Sequence, residues 1–213
     1  MKLRIPAVAV VILTFLLLLP WAVAQQLTPF SADIQFTSNR NPNTPHEMNG
    51  KMYVDSGHMR MEMQGGPRGE TVMINNFATH TADMVLVEQK MYMEYNTEQR
   101  RMRGPGMPDI HPYRDPSNPC GQEAGLTCKK VGVEQVNGRT CDHWQMTDKS
   151  GKVTNVWIDQ QLHFPIKNVS EDGTWQLTNV REGEPEASLF QVPAGYQRMD
   201  MGRPMVNVKP AQQ

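Results

Sequence analysis

The methionines are the residues of this chain whose type and spacing most suggest chemistry. The chain has 16 methionines among its 213 residues. Met59, Met61 and Met63 alternate with polar residues, and Met91 and Met93 do the same further along. Because residues two apart in a strand point to the same face, each set would line one surface with thioethers. Such flexible, polarizable side chains suit a surface that adapts to several apolar ligands. Plain packing of a sheet core is the alternative.

Thioether sulfur is also a soft ligand, and soft ligands select Cu(I). Cys141 and His143 lie two residues apart and would share a strand face. His58, however, would face away from Met59, and the sequence contains no dense Met-x-x-Met or Cys-x-x-Cys cluster. The sequence therefore assigns no metal site and no cofactor, and copper handling stays an alternative function.

Catalytic signatures are absent from the sequence. It contains no Gly-x-Ser-x-Gly, no His-Glu-x-x-His and no phosphate-binding loop. We therefore expect a protein that is not an enzyme. Trp144 and Trp157 are expected to be core anchors or, alternatively, walls of an apolar pocket. The candidate ligand-binding residues, all expected on one concave sheet face, are Met59, Met61, Met63, Met91, Met93, Trp144 and Trp157.

The N-terminus has the features of a secretory leader. A short basic start precedes an apolar run over residues 5–19, and a small-x-small pattern ends at Ala24. The run is shorter than the roughly 20 residues that a membrane-spanning helix needs. We predict a cleaved signal peptide over residues 1–24 and a periplasmic or secreted protein, with an uncleaved anchor as the alternative. Gln25, rather than a cysteine, follows the cleavage position, so no lipid anchor is expected and the mature protein should be soluble.

Export would place the three cysteines in an oxidising compartment, where a disulfide persists. Cys120 and Cys128 flank a short loop and are the favoured pair, but pairings of Cys141 stay open because sequence does not fix connectivity. The net charge of −1 at pH 7 argues against a nucleic-acid-binding protein.

Alternating apolar and polar residues predict many strands with short turns between them. These strands are expected at 30–37, 50–54, 58–63, 71–75, 82–88, 90–95, 129–135, 140–146, 153–158, 163–169 and 173–180. Asn137-Gly138 is the strongest hairpin signal, and Pro165 suggests that its strand lies at a sheet edge. A helical turn or two is expected over 96–103, and a closing turn over 188–196. The long irregular stretch over 104–127 is expected to be functional or mobile.

Several motifs of this chain resemble a known family. They are Gly132–Trp144, which reads G-x-E-x-V-N-G-x-x-C-x-x-W, then Val156–Asp159, Leu162–Lys167, the closing Ala187–Tyr196 and the Gly50–Met63 hairpin. Over residues 30–200 the chain resembles a family of secreted bacterial proteins of undefined function. It is more distantly similar to periplasmic lipoprotein carriers and outer-membrane lipoprotein-sorting proteins.

The resemblance implies a mainly β fold, or an α+β fold with few short helices. The sheet would be antiparallel and strongly curved, forming an incomplete barrel whose apolar concave face accepts acyl chains in the carriers. We expect one domain over residues 25–200 and a loose tail over 201–213. The predicted function is non-enzymatic binding of a lipid or acyl chain. Lipid or lipoprotein is the expected partner, with transient envelope-protein or membrane contact and no nucleic acid. An interaction or structural module of the envelope is the other alternative.

Overall fold

The computed structural model describes residues 27–39, 46–66, 69–97, 110–113, 115–121 and 125–199. The predicted leader over 1–24, the tail over 201–213 and most of the predicted helical turn over 96–103 lie outside these residues. In the described part of the chain the regular structure is almost entirely strand, with one short 3₁₀ helix, Ala187–Phe190.

Twelve strands make up the described fold. The first six are β1 (Phe30–Ser38), β2 (His46–Val54), β3 (His58–Gly66), β4 (Gly69–Asn76), β5 (Thr81–Leu86) and β6 (Met91–Asn96). The second six are β7 (Thr127–Val136), β8 (Arg139–Thr147), β9 (Val153–Asp159), β10 (Pro165–Ser170), β11 (Gly173–Glu182) and β12 (Gln197–Arg198). The strands expected from the sequence are all present, and β12 is an addition.

All twelve strands belong to one sheet, in the order β12-β6-β5-β4-β3-β2-β1-β11-β10-β9-β8-β7. Two antiparallel meanders, β1–β6 and β7–β11, are joined where β1 pairs with β11. β12 pairs in parallel with β6. The sheet is open and curved, which confirms the predicted incomplete barrel. The chain between β6 and β7 thus connects strands that lie near opposite ends of the strand order.

The strands form where apolar and polar residues alternate, as the sequence predicts, so that one face of a strand can be buried. On β3 the side chains of Met59, Met61 and Met63 are buried, whereas the intervening Arg60 and Glu62 are only half-buried. A strand with one apolar face gains most by burying that face against other elements. The β7–β8 hairpin turns at Asn137-Gly138, where both residues have positive φ, 49° and 80°, as this two-residue turn requires.

Three clusters of buried side chains hold the fold together. The main core includes Phe30, Ile34, Met52, Met61, Phe164 and Leu177. The second cluster comprises Trp144, Met146, Val156 and Ile158, with Tyr113, Cys120 and Cys128 packed against it. The third comprises Val72, Ile74 and Val85, with Tyr92, Phe190, Val192 and Tyr196 packed against it. The segment after β11 therefore covers an apolar patch on β4–β6, where the sequence analysis expected only a closing turn.

The interpretation of Pro165 was wrong. Its strand, β10, lies between β9 and β11 rather than at an edge. Pro165 is the first residue of β10, and the pairing with β9 shifts register between Pro165 and Lys167. Proline cannot donate a hydrogen bond to a neighbouring strand, but the first residue of a strand and a bulge both tolerate this. Pro165 can therefore occupy this position although β10 is an inner strand.

The connection between β6 and β7 packs onto two of the clusters through its described residues. Ile110 is buried in the main core, and the hydroxyl of Tyr113 lies 3.7 Å from the sulfur of Met146. Cys120 and Cys128 form the predicted disulfide, which links this connection to β7. The described residues contain no helix that is both long enough and apolar enough to cross a membrane.

Candidate functional site

Five methionines lie in register across five neighbouring strands. Met52 pairs with Met61, Met61 with Met73, Met73 with Met84, and Met84 with Met93. Directly opposed residues in an antiparallel sheet share a face, so all five side chains point to the same side. We call this set the methionine row, and the side of the sheet that carries it the methionine face.

The methionine row is closed at one end and more accessible at the other. Met52 and Met61 are 0% and 2% exposed, and Met73 and Met93 are 9% and 7% exposed. Met84, on β5, is half-buried. The β2–β3 end of the row is thus part of the packed core, and access to the thioethers exists at the β5–β6 end.

All five methionines predicted from the sequence lie on the methionine face. Met61 and Met93 are members of the row. Met59 and Met63 lie beside Met61 on the same face of β3 and are buried. Met91 is half-buried, two residues before Met93 on β6.

Sequence reasoning missed Met52, Met73 and Met84. Their strands had been identified, and the alternation within each strand was visible. The register between strands, which brings the five residues into line, is set by pairing across the whole sheet. No sequence pattern within a single strand indicates this register.

Tyr95 contacts the accessible end of the row. Its hydroxyl lies 3.8 Å from the sulfur of Met84 and 3.5 Å from the sulfur of Met93. The two sulfurs belong to directly opposed residues and converge on one phenolic oxygen. The end of the row is therefore an amphipathic corner, with soft thioethers beside a hydroxyl.

The two predicted tryptophans do not lie together. Trp144 pairs with Val156, whereas Trp157 pairs with His143, the residue next to Trp144. Because neighbouring residues of a strand point to opposite faces, Trp144 and Trp157 lie on opposite sides of the sheet. Following the pairings through β9, β10, β11 and β1 places Trp144 on the methionine face. Trp157 nevertheless belongs to the same buried cluster as Met59, Met61 and Met63, whereas Trp144 belongs to a second cluster, so a ligand surface lined by both tryptophans stays a prediction.

Trp144 carries an unpaired donor. It is 9% exposed in the second cluster, beneath Tyr113 and the disulfide. Its indole N–H is buried and has no hydrogen-bond partner among the residues that the structure describes. Leaving such a group unpaired costs about 1–3 kcal/mol, so an acceptor that reaches this position would bind favourably.

On the opposite side of the sheet, Trp157 is fixed by a polar network. His143 stacks on it with ring centroids 4.2 Å apart, and the Lys167 ammonium lies 4.6 Å from its ring centroid. Glu134 accepts hydrogen bonds from the Trp157 indole and faces the Nδ1 atom of His143, both at 2.8 Å. The indole and imidazole bonds lower the pKa of Glu134. With its polar atoms engaged in this way, Trp157 is a structural anchor.

A buried ion pair ties the β7–β8 hairpin to the rest of the sheet. Arg139 donates to the carboxylate of Asp159, which is 1% exposed, and to Glu182 of β11 at 2.8 Å. Asp159 also accepts the backbone N–H groups of Gln161 and Leu162, each at 2.8 Å. A buried carboxylate needs such partners. These bonds connect β8, β9 and β11.

The methionine face differs from the polar side of the sheet in its surface chemistry. A surface concavity of about 400 Å³ lies on the polar side and is lined by residues that include Asp33, Asn49, Lys51, Glu62 and Thr178. The side chains there are mostly charged or amide-bearing. The methionine face of β2–β6 is apolar by contrast, and the apolar patch of β4–β6 on the other side is covered by the segment after β11.

Conventional metal ligands do not converge in the described residues, since no group of three or more His, Cys, Asp or Glu is placed to hold an ion. Cys141 is free and buried. Its burial, together with the nearby Asp159 carboxylate, raises the pKa of the thiol to about 12. The thiol therefore stays protonated and is a poor nucleophile or ligand.

Comparison with known proteins places the chain in a family. Residues 34–163, more than half of the chain, match the model of a domain of unknown function, DUF4412. The chain belongs to the DUF4412 family. The match spans β2–β9 and includes the whole methionine row. The Ala187–Tyr196 motif lies beyond it. No curated protein sequence is significantly similar to this DUF4412 protein.

Several solved structures align with this chain at low sequence identity, and one of them supports the architecture. This one, an uncharacterized conserved protein from Thermus thermophilus, aligns with a TM-score of 0.54 at 9% identity, over 81% of this chain and 90% of that chain. A Vibrio parahaemolyticus domain named for outer-membrane lipoprotein sorting aligns with a TM-score of 0.41 at 11% identity, over 76% and 89%. A LolA superfamily protein from Nitrosomonas europaea aligns with a TM-score of 0.39 at 6% identity, over 78% and 90%. The prediction of a family of undefined function is confirmed by the DUF4412 match.

Proposed function

We propose that this DUF4412 protein is an exported, non-enzymatic binding protein that holds a lipid or acyl chain against its methionine face. The observation that carries the proposal is the alignment of five methionines across five strands. Unbranched thioether side chains adjust their shape to an apolar partner at low cost, and surfaces rich in methionine bind varied apolar partners.

The accessibility of the row defines the route of entry. Met84 and Met91 are half-buried, whereas Met52 and Met61 are enclosed. An acyl chain therefore inserts first at the β5–β6 end and moves toward β3 as the methionine side chains change rotamer. The hydroxyl of Tyr95, beside the sulfurs of Met84 and Met93, is placed to contact the polar end of the ligand.

The unpaired indole N–H of Trp144 also favours a ligand with an acceptor group. It lies on the methionine face, and an ester carbonyl or a carboxylate would satisfy it. Hydrocarbon with an oxygen acceptor is the composition of a fatty acid or a glycerolipid.

Export is supported by two independent features. The N-terminal sequence has the pattern of a secretory leader. The Cys120–Cys128 disulfide is typical of an oxidising compartment. A protein that carries an apolar ligand between membranes would work in such a compartment.

Two measurements test the proposal. Protein purified from the cells that produce it is extracted with organic solvent, and the extract is analysed by mass spectrometry for lipid. Delipidated protein is then titrated with a fluorescent fatty acid. We expect near-stoichiometric lipid in the first experiment and saturable binding, displaced by the native lipid, in the second. Protein that is empty as purified and that does not bind the probe would contradict the proposal.

A further inference from the structure

The β4–β6 end of the methionine row brings together soft sulfur ligands. Met73, Met84 and Met93 are consecutive members of the row on adjacent strands. Side chains opposed in this way have Cβ atoms about 4.5–5.5 Å apart. Methionine has three rotatable side-chain bonds, so three sulfurs from such positions can converge on one point.

The structure shows that two of these sulfurs already converge. The sulfurs of Met84 and Met93 lie 3.8 and 3.5 Å from one atom, the Tyr95 hydroxyl oxygen. A small cation that replaced this hydroxyl between the sulfurs would require rotamer changes and no movement of the strands. Because Met84 is half-buried, such an ion could reach the site from solvent.

Charge and ligand type restrict which ion fits. Asp83 and Glu94 lie on the same two strands but point to the opposite face, because their positions alternate with those of Met84 and Met93. Among the described residues of β4, β5 and β6, those on the methionine face therefore include neutral thioethers and no carboxylate. Calcium and magnesium require oxygen ligands, whereas thioethers select Cu(I). Ag(I) shares this preference.

We propose that Met73, Met84 and Met93 form a three-sulfur site for one Cu(I) ion. The site goes beyond apolar-ligand binding and does not depend on it. It requires sulfur at these positions, whereas an acyl chain requires only apolar volume. Substituting methionine by leucine separates the two, because leucine keeps the volume and removes the ligand atom.

Anaerobic Cu(I) titration against a chromophoric chelator tests the site. The protein carries Cys141→Ala throughout, so that no free thiol contributes. We expect one Cu(I) per chain with a dissociation constant below about 1 μM. The Met84→Leu/Met93→Leu double variant should bind Cu(I) at least about tenfold more weakly. Met52→Leu, at the enclosed end of the row, is the matched control and should bind as the parent does.

Two results would overturn the proposal: a parent protein that binds no stoichiometric Cu(I), or a double variant that binds Cu(I) as tightly as Met52→Leu does. Circular dichroism and fatty-acid binding are measured on the same variants. If the double variant folds and binds the fatty acid but no longer binds Cu(I), the result supports the metal site specifically. If the parent protein does not bind the fatty acid, this result counts against the proposed function. The Cu(I) site is then still decided by the Cu(I) titrations alone.

Discussion

Met84 on β5 lies directly opposite Met93 on β6, and the hydroxyl of Tyr95 approaches both sulfurs at 3.8 and 3.5 Å. Met84 is the half-buried member of a row whose other end is enclosed in the core. The row thus combines an enclosed part, which packs in the core, with a less enclosed part, which we propose contacts the ligand. The predictions below separate these two parts.

Met61 belongs to the enclosed part. It is 2% exposed and lies between Met52 and Met73. Met61→Ala should lower the free energy of unfolding by about 2–5 kcal/mol, because it removes buried volume and leaves a cavity. Met61→Leu keeps the volume and should cost less than about 1.5 kcal/mol. Urea denaturation measures both, and equal stability of Met61→Ala and the wild type would show that this end of the row is not packed.

Arg139 should be the most important charged residue for stability. Arg139→Met leaves the carboxylate of Asp159 buried without its cation and should lower the free energy of unfolding by about 3–5 kcal/mol. Lys130→Met removes an ion pair with Asp142 at the surface and should cost no more than about 1 kcal/mol. Chemical denaturation of the two variants tests this order, and similar losses would argue against Arg139 as the tie between β8, β9 and β11.

Glu134 should make stability depend on pH in the acid range. Hydrogen bonds from Trp157 and His143 lower its pKa in the folded protein. Its contribution is therefore fully present above the unfolded value of about 4.3, and it is lost as the pH falls through the lower folded pKa. Glu134→Gln removes this titration. The stability difference between the wild type and Glu134→Gln should shrink on acidification, and a constant difference from pH 7 to pH 3 would be inconsistent with the network.

The three cysteines should differ in reactivity. Peptide mapping without reduction should recover Cys120 linked to Cys128. Cys141 is fully buried and the pKa of its thiol is raised to about 12, so an alkylating reagent should label it only after denaturation. Rapid labelling of Cys141 in the folded protein, or a linkage that includes it, would contradict the described packing.

The strands were predictable because each one carries its pattern locally. The alternation of Met59, Met61 and Met63 with polar residues defines β3, and Asn137-Gly138 defines the β7–β8 turn. Pro165 was misleading because the first residue of an inner strand tolerates proline as well as an edge does.

The candidate site was predictable only in part, because its geometry depends on long-range pairing. Met73 and Met84 were not selected from the sequence, since the register that aligns them with Met61 is a property of the sheet. From the sequence, Trp144 and Trp157 had the same expected role, whereas the register of β8 and β9 places them on opposite faces. β12 pairs with β6 because the C-terminal segment crosses back over the sheet. No local sequence pattern predicts this crossing.

The most direct test of the central claim is the affinity of a fluorescent fatty acid for two matched glutamate variants. Met84→Glu places a charge at the half-buried position of the row, and Val153→Glu places the same charge on the opposite face, on β9, where Val153 is 42% exposed. We predict that Met84→Glu binds the probe at least about tenfold more weakly than the wild type, while Val153→Glu binds it as the wild type does. Unchanged binding by Met84→Glu, in a variant that is folded by circular dichroism, would contradict the assignment of the methionine face as the ligand site.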